Sequence, residues 1–309
     1  MPGRVFVTGA SGFVGSAVLE ELASRGFAVN ALVRPGSKLD APGDSAHIVR
    51  GNLFDDRPLD EGIRGCDAVI HLVGIIMEKR SKDVTFERIH FEGTKRVVDA
   101  AVRNGVKRYV HMSALGTRPD AVSEYHKTKY RAEEFVRASG LDWTIFRPSM
   151  IHGPKGELMR MEAAWARAAA PPFLFMPYFG AGPFGFGGAG LLQPVYVNDV
   201  ARAFVDALEK RATVGEIFPI AGPDRMTWPR LHRAVAQAVV GRNRWVMPIP
   251  VWKAKLLTRI VPGSLLPFNR DQVVMSREDN TTDLSKFEDA FGWRPQPFEP
   301  TLRAYAGQL

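Results

Sequence analysis

The chain has almost no cysteine: Cys66 is the only one in 309 residues. An internal disulfide framework is therefore excluded, and a reducing compartment is the expected setting. Lying in the turn Gly65-Cys66-Asp67 before an apolar run, the thiol reads as structural and not as a nucleophile. Charge is missing from Ala168 to Asn198, a stretch long enough to suggest a membrane span. Pro171, Pro172, Pro177, Pro183, Pro194 and six glycines from Gly180 to Gly190 interrupt it. Lipid-facing backbone must be helical or closed into a barrel, so a transmembrane helix is excluded there. No basic run interleaved with aromatics exists, so nucleic acid is not an expected partner despite a net charge of +8. Attraction of that charge to anionic lipid stays open. Nor does the chain open with the charged, apolar, small-residue order of a leader, so its first apolar run is expected to be a strand of the mature fold.

What is present starts four residues in, with V5-F-V-T-G-A-S-G-F-V-G15. The spacing predicts a short buried strand, a glycine turn and a helix from about Phe13, with Val14, Val18, Leu19 and Leu22 on its apolar face. Gly9 allows the sharp turn, Gly12 lets a phosphate approach the backbone, and Gly15 lets the helix pack close to the sheet. A helix N-terminus aims free N–H groups and a partial positive charge at an anion. The G-x-x-G-x-x-G spacing is wider than the usual dehydrogenase fingerprint, but in this strand–turn–helix setting it implies a dinucleotide cradle.

The second strand, A28-V-N-A-L-V33, ends in Arg34, followed by Ser37 and Lys38. An NAD site places a carboxylate there for the ribose 2′-hydroxyl. A guanidinium, a hydroxyl and an ammonium suit a 2′-phosphate instead, so NADP(H) is the expected cofactor and NAD(H) the alternative. Further strands are predicted at A46–R50, A68–V73, K107–M112 and W143–R147, with helices over Val84–Asn104 and Tyr125–Ser139. This alternation predicts an α/β fold: a Rossmann-type, doubly wound parallel sheet with a smaller C-terminal substrate lobe. The expected boundaries are residues 1–150 for the nucleotide domain, with 193–222 returning to it, and 151–309 for the lobe. Within the lobe, the set Phe173, Phe175, Tyr178, Phe179, Phe184 and Phe186 either fills a core or lines an apolar pocket or membrane-facing surface. Arg230–Val240 is predicted as an amphipathic helix. V251–V261, short and basic, is either a lobe helix with a solvated face or a membrane-surface contact.

The second chemical signal is Y125-H-K-T-K129. Tyr125 and Lys129 lie four apart on one helix face, where an ammonium would stabilise a phenolate and bring the tyrosine nearer the range of acid–base work. Ser113, at the end of the preceding strand, is the candidate to polarise a carbonyl. No metal site is assigned.

Taken in order, T8-G-A-S-G-F-V-G15, H71-L-V-G74, Ser113, Tyr125/Lys129, Arg147-Pro148-Ser149 and P194-V-Y-V-N-D-V200 resemble the short-chain dehydrogenase/reductases of the extended or atypical kind. S113-A-L-G116, D271-Q-V-V-M-S-R-E-D-N280 and Gly292-Trp293-Arg294-Pro295 are similar to the branch related to the NADPH-binding accessory subunit of respiratory complex I. The resemblance covers the whole chain. It implies that Gly9, Ser11, Gly12, Phe13 and Val14 meet the pyrophosphate, Arg34 the 2′-phosphate, and Asn52 and Leu53 the adenine. It places Val73 and Gly74 near the central ribose, Tyr125 and Lys129 at the nicotinamide ribose, and Pro148 and Ser149 near the nicotinamide. Asn52 stands where many relatives have Asp, and His90 where extended members have Asn; His90 is expected to be a packed helix residue. The Ser113-to-Tyr125 segment is also shorter than in the sugar-nucleotide enzymes.

The resemblance leaves three functions open. One is an NADP(H)-dependent oxidoreductase with Tyr125, Lys129 and Ser113 acting on an apolar, quinone- or isoprenoid-like carbonyl. Another is a non-catalytic NADPH-binding accessory protein of a respiratory or quinone-linked complex. The third, a nucleotide-sugar epimerase or dehydratase, needs cations for a diphosphate, and Arg160, Arg167 and Arg270 are the candidates. The expected location is cytoplasmic, with peripheral contact at the inner face of the membrane left open, and a homodimer is the expectation by analogy.

Overall fold

The computed structural model describes residues 3–39, 46–188, 190–260, 268, 270–276 and 278–309, without the side chains of residues 270 and 271. It divides into two compact units. Unit 1 is Met1–Pro148, Val197–Ile220 and Ser285–Trp293; unit 2 is Ser149–Tyr196, Ala221–Leu284 and Arg294–Leu309.

Unit 1 is built on strands β1 (Arg4–Thr8), β2 (Ala28–Val33), β3 (Ala46–Arg50), β4 (Ala68–His71), β5 (Arg108–Met112), β6 (Asp142–Pro148) and β10 (Glu216–Ile220). They form one parallel sheet in the order β10-β6-β5-β4-β1-β2-β3. Val5–Thr8 and Ala68–His71 are buried throughout, as expected of strands covered on both faces. One face carries Phe6, Val69, Tyr109 and Ile145. They share a core with Leu59 and Ile63 of α2 (Asp56–Ile63), Val97 and Ala101 of α3 (Gly93–Arg103) and Val136 of α4 (Glu124–Arg137). On the other face α1 (Phe13–Ser24) packs on α6 (Val197–Glu209). There Phe146 contacts Phe204, Phe218 and Phe291, the last from α10 (Ser285–Phe291). Strand order reverses beside β1, between β2 and β4, and crevices for ligands open at the carboxyl ends of strands at such a point.

The apolar spacing predicts one helix over Val84–Asn104, and this needs correction. Val84 instead bridges Lys79, Glu87–Glu92 forms a π-helix, and α3 begins only at Gly93. The wider turn sets His90 inward, almost fully buried.

Unit 2 contains β7 (Ile151–His152) paired with β9 (Val195–Tyr196), and β8 (Phe175–Gly180) paired in parallel with β11 (Trp245–Pro250). Helices α5 (Glu157–Ala166) and α7 (Trp228–Val240) pack together over Met159, Leu231 and Val235, joined by Phe298 and Leu302 of α11 (Phe298–Tyr305). The short helices α8 (Val251–Ile260) and α9 (Arg270–Met275) share a small core of Val251, Ala254 and Val273. The aromatic set divides between the two readings: Phe175, Tyr178 and Phe179 are half-buried, while Phe173, Phe184 and Phe186 are exposed. Phe184 and Phe186 ride on a loop that Ala181 and Gly187 close by reciprocal backbone hydrogen bonds, which turns them away from the core. No helix among the described residues is long and apolar enough to cross a membrane.

Candidate functional site

The glycine loop leaves β1 through Gly9, whose φ of +77° is the left-handed conformation that favours glycine. Its carbonyl accepts from Gly12 N–H at 3.0 Å. A Cβ at Gly15 would lie 2.1 Å from that same carbonyl, so only glycine lets α1 start this close to the turn. The α1 N-cap, Gly12, supplies no side-chain cap. The first-turn N–H groups at Phe13 and Val14 thus have no capping oxygen from the cap residue, and Ser11 and Gly12 are exposed beside them. That is the electrostatics a pyrophosphate needs, so the loop fits a dinucleotide.

At the end of β2, Arg34 and Lys38 are exposed and Ser37 is half-buried. Ser37 N–H donates to Arg34 C=O at 3.0 Å. Arg50, opposite Val33 in the β2–β3 register, donates to Ser37 C=O at 2.7 Å and so braces the turn. Arg50 was not singled out from sequence; its place as the last residue of the third strand is the signal. Asn52 uses its side-chain oxygen to close a turn on Phe54 N–H (2.7 Å), while its amide donates to Asp55 (2.6 Å). One lone pair of that oxygen is left for an adenine amino group. The Leu53 side chain is in the core of unit 1, leaving its backbone to face a base.

Val73 and Gly74 follow β4, Val73 half-buried and Gly74 exposed. A Cβ at Gly74 would stand 3.2 Å from Lys129 Nζ and 3.7 Å from His90 Nε2, so the bare position lets these two groups come up to the loop. Lys129 is only 2% exposed. Its ammonium donates to Met112 C=O at 2.8 Å, and burial pulls its pKa down to about 8, with Glu133 acting in the opposite sense. Tyr125, one turn earlier on α4, is half-buried, with its ring edge-on to Phe86 and His90. Burial pushes its hydroxyl up to about 12. Tyr125 and Lys129 thus lie four apart on α4, burial carrying the tyrosine hydroxyl away from neutrality and the Met112 carbonyl holding the ammonium.

Ser113 is buried, its N–H donating to Phe146 C=O (2.8 Å) and its hydroxyl to Thr117 (3.3 Å). Pro148, ending β6, accepts from Leu115 N–H at 2.8 Å. Ser149 opens unit 2 and donates to Gln193 C=O at 2.6 Å. Arg160 and Arg167 are exposed, Arg167 donating to Leu309 C=O, and the Arg270 side chain is outside the described residues.

Beneath Lys129 lies a buried polar line that sequence reasoning did not assemble. Thr8 Oγ1 meets His71 Nδ1 at 2.6 Å, and His71 Nε2 meets Thr94 Oγ1 at 3.1 Å. Thr94 donates its one hydroxyl proton to His90 C=O (2.6 Å), so His71 carries its proton on Nε2 and accepts from Thr8. His90 Nδ1 meets Thr128 Oγ1 at 3.0 Å, and its Nε2 lies 3.1 Å from both N–H and C=O of Ile75. Burial first, then the nearby Lys129 charge, holds His71 down to about 3 and His90 well below the ordinary imidazole value. His90 is thus a neutral, packed residue. Cys66 is buried, donates to Gly62 C=O, and is pushed up to about 11 by burial, which makes it a poor nucleophile.

Residues 9–164 match the NAD(P)H-binding family. The chain belongs to it. Its relatives include the mitochondrial NADH-ubiquinone oxidoreductase 40 kDa subunit of Neurospora crassa, 27% identical over 78% of this chain and 61% of the subunit. The chain therefore spans less than two thirds of that relative's length. A ceramide reductase of Caulobacter vibrioides is 32% identical over 80% of this chain and 74% of its own. The fold of UDP-glucose 4-epimerase from Thermotoga maritima superposes with a TM-score of 0.73 over 99% of this chain and 98% of that one, at 21% identity. The chain is thus similar in sequence to a complex I subunit and to a reductase, and it shares the fold of the epimerase.

Proposed function

We propose that this chain is an NADP(H)-dependent oxidoreductase that reduces or forms an apolar carbonyl compound. The observation that carries this is Lys129. A buried ammonium that donates to a backbone carbonyl, that of Met112, is costly, and it lies one turn from Tyr125 and against the bare backbone of Gly74. A fold has no structural reason to keep such a group, whereas a hydroxyl-bearing ribose and a reacting oxygen give it one.

Gly9, Ser11, Gly12, Phe13, Val14 and Gly15 would hold the pyrophosphate, and Arg34, Ser37 and Lys38, braced by Arg50, the 2′-phosphate. Asn52 and the Leu53 backbone would flank the adenine, and Val73, Gly74, Pro148 and Ser149 the ribose and nicotinamide end. When bound, the cofactor supplies or takes up the hydride. In the reducing direction Tyr125 Oη gives its proton to the carbonyl oxygen as the carbon becomes tetrahedral, and Ser113 would turn its hydroxyl from Thr117 to donate to that oxygen. Lys129 lowers the cost of the phenolate that is left. NADP(H) is preferred to NAD(H) because Arg34, and not a carboxylate, follows β2. An apolar substrate follows from the uncharged run Ala168–Asn198, and the ceramide reductase relative supports it.

The test is NADPH oxidation by the purified chain against quinones, long-chain ketones and nucleotide sugars. The expected result is turnover with an apolar carbonyl that falls at least about a hundredfold in Tyr125→Phe, the usual scale for losing a general acid. Turnover confined to nucleotide sugars, or unaffected by Tyr125→Phe, would overturn it. The second reading is an NADPH-holding accessory protein, favoured by the 40 kDa subunit relative and by a Tyr125 hydroxyl at about 12. Tight NADPH binding with no oxidation by any carbonyl is its signature.

A further inference from the structure

We propose that one face of unit 2, made by α8 and the β8–β11 ribbon, is a docking surface for an anionic lipid bilayer. The inference is independent of the reductase reading. It begins with a helix that is apolar on two sides. Val251 and Ala254 face the core, as an ordinary surface helix requires. The opposite side carries Trp252, Leu256 and Ile260, spaced by four and thus stacked in one stripe, with Leu257 beside them. All four are exposed, Ile260 by 69%. A helix that leaves such a stripe in water forgoes burial that a second apolar phase would supply.

The stripe does not stand alone. Trp252 Nε1 donates to Pro183 C=O at 3.1 Å, tying α8 to the closed loop that projects Phe184 and Phe186, exposed by 77% and 78%. Farther along the ribbon Trp245, 76% exposed, pairs in register with Phe175, and Arg244 donates to Phe173 C=O beside the exposed Leu174. A cleft of about 340 Å³ between loop and helix is lined by Ala181, Gly182, Val251, Trp252 and Lys255. Scattered exposed apolar residues need no explanation, but these gather on α8 and the loop tied to it, with more at the far end of the ribbon, and are rich in Trp and Phe, the rings that settle at a membrane–water boundary.

Charge selects the occupant. On the elements of this face, from Gly241 to Ile260, the chain has five Lys or Arg (Arg242, Arg244, Lys253, Lys255 and Arg259) and no Asp or Glu, and the run Ala168–Asn198 has no charge at all. On α8 itself Lys253 and Arg259 flank the apolar stripe, and Lys253 lies 5.4 Å from the centre of the Trp252 ring. Long cationic stems beside buried apolar rings reach outward to phosphates while the rings enter the acyl boundary. A protein partner would need an acidic apolar surface of matching shape. An anionic bilayer supplies both properties over any area.

The test is co-sedimentation of the full chain with vesicles of phosphatidylcholine alone or mixed with phosphatidylglycerol, at low and raised salt. Each cation near an anionic surface is worth about 1 kcal/mol, or about fivefold in affinity. Binding is therefore expected only with the anionic vesicles, weakened by salt, with a blue shift of tryptophan emission. It should fall about a hundredfold in Lys253→Gln/Lys255→Gln/Arg259→Gln. Leu256→Ser/Ile260→Ser, at exposed positions where folding is not at risk, should remove the blue shift and weaken binding at least tenfold. Absence of binding to anionic vesicles at low salt, equal binding to neutral ones, or binding unchanged in both variants would overturn the proposal. So would a dimer in solution that Leu256→Ser/Ile260→Ser dissociates while vesicles are ignored. NADPH affinity, measured on the same samples, separates these outcomes from any failure of the cofactor assignment.

Discussion

Glu133 closes both carboxylate oxygens on the guanidinium of Arg147, Oε1 on Nε at 2.9 Å and Oε2 on Nη2 at 2.5 Å, one helical turn beyond Lys129. The carboxylate is almost wholly buried, and it is the anion that holds the Lys129 pKa up against burial. Glu133→Gln should therefore let Lys129 fall below about 8. The alkaline limb of kcat/KM for NADPH oxidation should move to lower pH, with a loss of about 1–3 kcal/mol in stability from the unpaired, partly screened Arg147. A pH–rate profile with an unmoved alkaline limb would refute the coupling.

Lys129→Met should stabilise the fold while removing activity. In the wild type the lysine is charged in folded and unfolded states below about pH 8, so the cost of burying it is fully present there. Between about 8 and the ordinary lysine value the folded state gives up its proton first and the cost fades. The gain from Lys129→Met, about 1–3 kcal/mol at pH 7 after the lost Met112 contact, should thus vanish as pH rises past 10. Urea unfolding of both proteins at pH 7 and 10.5 checks it.

Acid should undo this protein through its histidines. Burial holds His71 and His152 near 3, and His90 and His111 far below the ordinary value. Below about pH 6.5 the unfolded chain takes up protons that the folded one refuses. Stability should be full above that pH and fall as pH drops towards 3, by roughly 1.4 kcal/mol per pH unit for each histidine involved. His111, both ring nitrogens of which are buried without a partner, gains most from His111→Phe. That variant should flatten the slope of Tm against pH between 6.5 and 4, and a parallel slope would contradict the assignment.

Cofactor choice rests on the turn after β2. Arg34→Ala should weaken NADPH by about ten- to a hundredfold, as expected for losing a charge-assisted contact to phosphate, and leave NADH within about twofold. Arg50→Ala, which loosens the turn without removing Arg34, should weaken NADPH less. Fluorescence titrations with both nucleotides decide it; equal losses for NADPH and NADH would place the 2′-phosphate elsewhere.

Gly15→Ala tests the loop itself. Its Cβ has no room before Gly9 C=O, so α1 must shift off the turn. The expected result is loss of binding of both nucleotides and a fall of at least about 2 kcal/mol in stability, on the scale of overpacked sites. Retained affinity would mean that the helix start does not hold the pyrophosphate.

Where the chemistry depends on residues close in sequence, the chain could be read directly. The β1–α1 turn, the parallel sheet and the Tyr125/Lys129 spacing follow from glycine positions and from periods of two and four. Contacts across elements had no such mark. Glu133 looks like any helix-surface acid until Arg147 of the next strand meets it, and Arg50 like a strand end until Ser37 turns towards it. Ser285–Phe291 has the periodicity of a lobe helix, and Phe291 on Phe146 and Lys286 on Glu216 tie it to unit 1. For Phe184 and Phe186 the sequence left core and surface open, because an apolar run carries no mark of the backbone bonds between Ala181 and Gly187 that close the loop exposing them.

The π-helix at Glu87–Glu92 has a consequence for chain length. A π turn holds one residue more than an α turn over the same hydrogen-bonded span, so the segment carries a residue that an ordinary helix has no place for. Shortening the chain by one there would let α3 run back unbroken, and whatever precedes the gap would rotate by about 100° around the axis. His90 would then swing off Thr128 and Ile75, and the underside of Lys129 would lose its floor. Local helix regularity and the buried polar line are thus alternatives at this position, and the fold has taken the line.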